Sequence, residues 1–156
     1  MTTQIDVGAK APDFELPIAP AKTARLSAFK GQTVVLYFYP KDDTTGCTAQ
    51  AVAFEGLREK FAKAGAQVLG VSPDSLASHI KFARKHKLGL TLASDESKTM
   101  LQAYGVWVEK SMYGRKYMGV ERTTLLIDAK GTVARVWRKV KVPGHAEEVL
   151  AAVQAM

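Results

Sequence analysis

The chain reads as an α/β domain with a mixed central β-sheet flanked by helices on both faces. Three observations predict this. Thr33–Phe38 and Gln67–Ser72 are β-branched, apolar or aromatic enough to be buried strands. Between them Val52, Phe54, Leu57, Phe61 and Ala64 recur at helical spacing. The chain therefore starts as β-α-β, which calls for parallel strands and a right-handed crossover. Later, Thr123–Asp128, the turn Ala129-Lys130-Gly131 and Thr132–Trp137 read as a hairpin, which adds antiparallel strands.

In order, residues 1–32 read as irregular entry structure with short extended pieces. Pro12, Pro17 and Pro20 break any helix there. Asp13-Phe14-Glu15-Leu16 alternates and suits a short edge strand, and Leu26 to Gly31 suits one helical turn closed by glycine. The strand at 33–38 leads into a cysteine-bearing loop and then a helix to about Ala64, with Gly65 as its stop. After the strand at 67–72, Ser72 is the expected N-cap and Pro73 the first residue of the next helix. Leu76, His79, Ile80 and Ala83 share a face of that helix, and Gly89 ends it. Leu90–Ala93 is a short strand, Ser94-Asp95 can cap a helix through Tyr104, and Ala146, Val149, Leu150 and Val153 mark a final amphipathic helix. There is no repeat, low-complexity tract or linker, so residues 1–156 are expected to form a single domain.

Composition narrows the function classes. With 47% apolar and 24% charged residues the chain is an ordinary globular protein, and no apolar run approaches the roughly 18 residues needed to span a bilayer. Met1 to Asp6 lacks the basic and apolar regions of a secretory leader. A single cysteine excludes an internal disulfide framework and suits a reducing compartment, the cytoplasm. The net charge of +7 is local: residues 110–141 hold nine Lys/Arg against two acids, and the remainder balances. Such a face can steer anions or bind nucleic acid weakly, or simply be solvated.

Cys47 sits where a strand pattern ends and a helical pattern begins. A thiol in the first turn of a helix meets free N–H groups and the positive end of the helix dipole, which favour the nucleophilic thiolate. A lone cysteine is also often a small buried hydrophobe. The residues by themselves leave both readings standing.

Tyr39-Pro40-Lys41-Asp42-Asp43-Thr44-Thr45-Gly46-Cys47-Thr48 resembles the active-site loop of peroxiredoxins, in which P-x-x-x-T-x-x-C carries the peroxidatic cysteine. More closely it is similar to the bacterioferritin comigratory protein, or PrxQ, subfamily. The block from Lys110 to Thr124 is similar to the segment that carries the subfamily's active-site arginine, and Trp137-Arg138-Lys139-Val140 fits its late strand. The resemblance runs from Gly8 to the last helix. It implies a thioredoxin-like fold, reduction of hydrogen peroxide and organic hydroperoxides, no cofactor or metal, and a monomer.

It also implies roles for particular residues. Cys47 attacks the peroxide and becomes a sulfenic acid. Arg122 holds the thiolate and then the departing oxygen. Thr44 binds and orients the peroxide, and the Cys47 N–H is a further donor. Pro40 shields the sulfur from water. Each has a plainer alternative: Thr44 a helix cap, Arg122 a surface ion pair with Glu121, Pro40 a strand terminator, and Trp137 a core residue. The sequence also departs from the subfamily. Thr45 replaces a proline that would stiffen the loop, and Gln50 replaces a glutamate that would tie into the arginine network. Val52 and Ala83 stand where members carry a second, resolving cysteine. Either the sulfenate is reduced by an outside thiol (thioredoxin, glutaredoxin or glutathione) or a resolving cysteine has been replaced.

Two rival classes use the same residues. A cysteine–histidine hydrolase would pair Cys47 with His79, His86 or His145, although the first two read as packing or solvated and the third as a helix start. Zinc would need paired spacings that these histidines lack. A non-catalytic thioredoxin-like module would use the basic segment, with Tyr113 and Tyr117, to bind nucleic acid or an acidic partner, although no nucleic-acid motif is present. No specific nucleic acid and no membrane are expected as partners.

Overall fold

In the computed structural model, residues 5–18 and 22–156 are described; Pro20 and the first four residues of the N-terminal segment lie outside the described residues. The strands are β1 (Glu15–Ile18), β2 (Lys22–Arg25), β3 (Thr33–Phe38), β4 (Ala66–Ser72), β5 (Thr91–Ser94), β6 (Trp107–Met112), β7 (Arg115–Val120), β8 (Thr123–Ile127) and β9 (Val133–Trp137). The helices are α1 (Thr45–Gly56), α2 (Arg58–Lys63), α3 (Leu76–His86), α4 (Thr99–Ala103) and α5 (His145–Gln154), with a 3-10 turn at Leu26–Phe29.

Seven strands form one sheet in the order β2-β1-β5-β4-β3-β8-β9, and β6 and β7 pair apart from it. Strands β3, β4 and β5 are parallel, whereas β8 and β9 are antiparallel to their neighbours, as the β-α-β start and the late hairpin predict. Because side chains alternate along a strand, β3 feeds two cores. Val34, Leu36 and Phe38 pack with Leu101 and Tyr104 on the α4 side. Val35, Tyr37 and Tyr39 pack with Phe54, Phe61, Phe82 and Val149 from α1, α2, α3 and α5. Helices therefore cover both faces, the second more fully. Gly70 on β4 leaves the room that the paired Tyr37 ring occupies; a Cβ there would lie 2.7 Å from Tyr37 Cζ.

Four local expectations need correction. The helix after the cysteine is broken at Leu57, whose N–H reaches back only to Phe54. Gly56, a poor helix former, precedes the break. Helix α3 starts at Leu76 with Ser75 as its N-cap, rather than at Pro73. Ser72 is committed to β4: its carbonyl accepts from Asp95 N–H and its hydroxyl donates to Asp74. The helix closes on Lys87 in the left-handed region (φ 54°), and the backbone N–H groups of Gly89 and Leu90 are taken by Glu55 of α1. The edge strand expected at Asp13–Leu16 is β1, two residues later and internal, and the edge is β2.

The β6–β7 pair is new relative to the sequence reading. Its turn is Tyr113-Gly114, both at positive φ (52° and 78°), the geometry of a tight primed turn. Tyr-Gly is a weak turn signal beside Asn-Gly. The strand residues Glu109, Lys110 and Ser111 give no apolar alternation.

Candidate active site

The site forms where β3 ends. Tyr39 extends the ladder through its N–H to Val71, and Pro40, having no N–H, cannot continue it. The loop then turns through Asp43 at φ 61°, a conformation aspartate tolerates better than most residues. Thr44 is the N-cap of α1 by position, with extended backbone (φ −87°, ψ 157°), and its carbonyl accepts the first helical bond from Thr48. Its hydroxyl does not cap the helix: it donates to the Lys41 carbonyl at 2.9 Å. The cap reading of Thr44 is thus half right, backbone only. Cys47 is the third residue of α1 and only 2% exposed. In that first turn the backbone N–H groups have no intrahelical acceptor.

Arg122 comes from the segment between β7 and β8, at the head of the strand that pairs with β3, its carbonyl held by Val140 N–H. Its Nη2 donates to Cys47 Sγ at 3.2 Å and its Nη1 to Gln50 Oε1 at 2.5 Å. A guanidinium stays charged at any working pH and presents rigid donors, so the contact sets a fixed positive charge against the sulfur. The absence of the subfamily's glutamate does not release the arginine, because the Gln50 amide oxygen accepts in its place. That side chain is buried, and its Nε2 has no hydrogen-bond partner among the described residues.

Three flanking groups are shifted, by burial first and by these charges second. Burial raises the Tyr37 hydroxyl above its ordinary range, and the neighbouring Cys47 and Asp42 add to it. Burial, then the Arg122 charge, lower Lys110 on β6, against the pull of Glu121 and Cys47. Burial also lowers His145, with Arg122 adding to it and Glu148 and Glu147 opposing.

The expected residues fall out unevenly. Cys47 and Arg122 are in direct contact. Thr44 opens the same helix, and Pro40 terminates β3 at the head of the same loop, half-buried. Among the described residues the hydrogen-bond partner of the sulfur is Arg122, not a histidine, which removes the geometric basis for a hydrolase. His145 does start a helix, with Nε2 2.9 Å from Thr124 Oγ1. Trp137 packs against the core and donates to Glu148. His79, expected to pack or be solvated, is buried in a polar cluster under the loop, with Nδ1 2.6 Å from Asp42 Oδ2. His86 lies 2.9 Å from Asp43. Sequence reasoning missed Asp42 and Lys110 as parts of the site's surroundings, and read Gln50 only as the loss of a carboxylate rather than as an acceptor for Arg122. The seven-residue spacing of His79 and His86 opposite two consecutive acids was the available signal.

A family model described as the AhpC/TSA family matches residues 7–136. A putative peroxiredoxin bcp of Coxiella burnetii is 49% identical over 94% of this chain and 97% of its own length. The peroxiredoxin Bcp of Bacillus subtilis is 46% identical over 97% of each. Among solved structures, Xanthomonas campestris peroxiredoxin Q superposes with a TM-score of 0.89 at 42% identity, covering 99% of this chain and 97% of that one.

Proposed function

We propose the following course of reaction for this chain, which belongs to the AhpC/TSA family and is a thiol-dependent peroxidase of the Bcp/PrxQ type on a thioredoxin-like fold. Cys47 is the peroxidatic residue. Its thiolate attacks the terminal oxygen of a hydroperoxide, the O–O bond breaks, and the sulfur keeps that oxygen and its hydrogen as sulfenic acid. The departing alkoxide or hydroxide takes a proton from solvent. Charge moves from sulfur to the leaving oxygen, and Arg122 stabilises both ends of that movement. Thr44 orients the peroxide: its hydrogen already donates to Lys41, so its oxygen is the acceptor for the peroxide hydrogen. Pro40 limits water around the sulfur.

The observation that carries this reading is the 3.2 Å contact from Arg122 Nη2 to a sulfur in the first turn of α1. Organic hydroperoxides are proposed as substrates beside hydrogen peroxide. A 41% identical solved structure, of Xanthomonas campestris bacterioferritin comigratory protein, was studied for alkyl peroxide reduction activity. With one cysteine in the chain, the sulfenate is recycled by an external thiol: thioredoxin, glutaredoxin or glutathione. Val52, on α1, is exposed, and Ala83 lies on α3; neither supplies a second sulfur. The working unit is a cytoplasmic monomer formed by residues 1–156 as one domain. Among the described residues no helix is long and apolar enough to cross a membrane.

The test is peroxide turnover with each of the three reductants supplied separately to the full chain. Sustained turnover with at least one, and a dimedone-reactive Cys47 when all are withheld, is expected. A Cys47 that peroxide does not oxidise would overturn the reading.

A further inference from the structure

Beneath the cysteine loop lies a buried polar cluster that the peroxide chemistry does not touch. Asp42 is at its centre. Its Oδ1 accepts from the Tyr39 hydroxyl at 2.6 Å, and its Oδ2 accepts from the Ser78 hydroxyl at 2.8 Å and faces His79 Nδ1 at 2.6 Å. Its backbone N–H donates to Asp74 Oδ2 at 2.8 Å, and that oxygen also accepts from the Ser72 hydroxyl at 2.7 Å. The far nitrogen of His79, Nε2, lies 3.0 Å from the Ala93 carbonyl. His79 is 1% exposed and Asp42 7%.

We propose that Asp42 and His79 form a lock: positioning residues that fasten the Pro40–Cys47 loop to α3 and β5 and set how often that loop opens to let an external thiol reach the oxidised sulfur. This rests on Cys47 being the reacting sulfur. A carbonyl only accepts, so Nε2 carries a hydrogen. A carboxylate oxygen also accepts, so a second proton lies between Nδ1 and Asp42. The two residues share that proton whichever atom holds it, and the bond is charge-assisted or its neutral equivalent. Opening the loop would strip Asp42 of Ser78 and His79 on α3 and of Asp74 just before it, and leave buried polar groups unmade, which is costly. Cys47 is five residues further along the chain and itself buried, so a reductant much larger than a peroxide needs that opening. The lock therefore holds Thr44 and Cys47 in place for peroxide attack and restrains recycling.

The test is native-state alkylation of reduced Cys47 by N-ethylmaleimide, a neutral probe, on the full chain at neutral pH. Under fast opening and closing the rate reports the open population. His79→Asn is expected to raise it about tenfold or more, and Ser78→Ala and Tyr39→Phe, which each remove one Asp42 donor, about threefold. In parallel, glutathione should reduce preformed sulfenate faster in the variants, while peroxide attack slows. If His79→Asn does not fold, Ser78→Ala and Tyr39→Phe carry the test. Alkylation and reduction rates equal to wild type, with only the unfolding temperature lowered, would overturn the lock and leave a structural cluster. Alkylation needs no peroxide, so it decides the lock even if Cys47 proves inert to peroxide and the peroxidase reading fails.

Discussion

The cysteine loop and the β6–β7 hairpin flank the same arginine and are built in opposite ways. The loop is short and acidic, and its acids are fastened to one helix. Asp42 is fastened inside by His79 and Ser78, and Asp43 outside by Lys85 at 2.7 Å and His86 at 2.9 Å. The hairpin is basic and open: Tyr113 at its tip is 98% exposed, and Lys116 reaches Glu109 only at 3.7 Å. The charge excess that stands out in the sequence lies largely on and beyond the hairpin, yet the cation against the sulfur is Arg122. Exposed charges are screened and solvated, so their number says little. One guanidinium, half-buried and aimed by two acceptors, outweighs them.

This contrast can be broken by substitution, beginning in the loop. Cys47→Ser should reduce peroxide consumption to background while leaving the unfolding midpoint within a few degrees; turnover near wild type would remove the loop from the chemistry. Arg122→Met should lower the second-order rate of thiol oxidation by about a hundredfold to a thousandfold, the usual cost of one preorganised donor at a developing charge. Arg122→Lys should recover only part, because an ammonium cannot reproduce the fork to Cys47 and Gln50. Thr44→Val should cost about tenfold or more in the oxidation rate with little loss of stability, since the hydroxyl does not cap α1. A large drop in melting temperature with unchanged oxidation would restore the capping role.

Smaller effects sharpen the boundary between the two regions. Burial holds His145 below the ordinary histidine value of 6.5, so the unfolded chain binds its proton first. Its contribution to stability is complete above pH 6.5 and is lost as pH falls below it. Unfolding midpoints in urea at descending pH should show this loss, and His145→Gln should flatten it; an unchanged slope would place the acid sensitivity elsewhere. On the hairpin, Lys110→Met should slow Cys47 oxidation a few-fold at low salt, because Lys110 lies within the field of Arg122 and Cys47. Arg115→Ser and Lys116→Ser should each change it less than about twofold. Equal effects at all three positions would mean that the hairpin acts through its total charge.

The buried strands were the most legible part of the chain. Thr33–Phe38 was read with its observed bounds because β-branched and aromatic residues fill both faces of a central strand. The final helix was equally plain, since Ala146, Val149, Leu150 and Val153 all turn inward. The hairpin was invisible because its strands are exposed and its turn unusual. Starts and stops failed where a side chain had another duty, as Ser72 does on Asp74. In the site, the local pattern singled out Cys47, and the resemblance named Thr44, Arg122 and Pro40. What a sequence does not display is pairing across the fold. Asp42 looked like a turn residue and His79 like a packing one until helix α3 brought them together.

The most direct test of the central claim is a stopped-flow measurement of Cys47 thiol loss after mixing reduced protein with hydrogen peroxide at neutral pH. The account predicts one thiol lost per chain, a sulfenic acid product, and a rate about a thousandfold or more above that of free cysteine, falling steeply in Arg122→Met. A rate close to free cysteine, or one indifferent to Arg122, would contradict it.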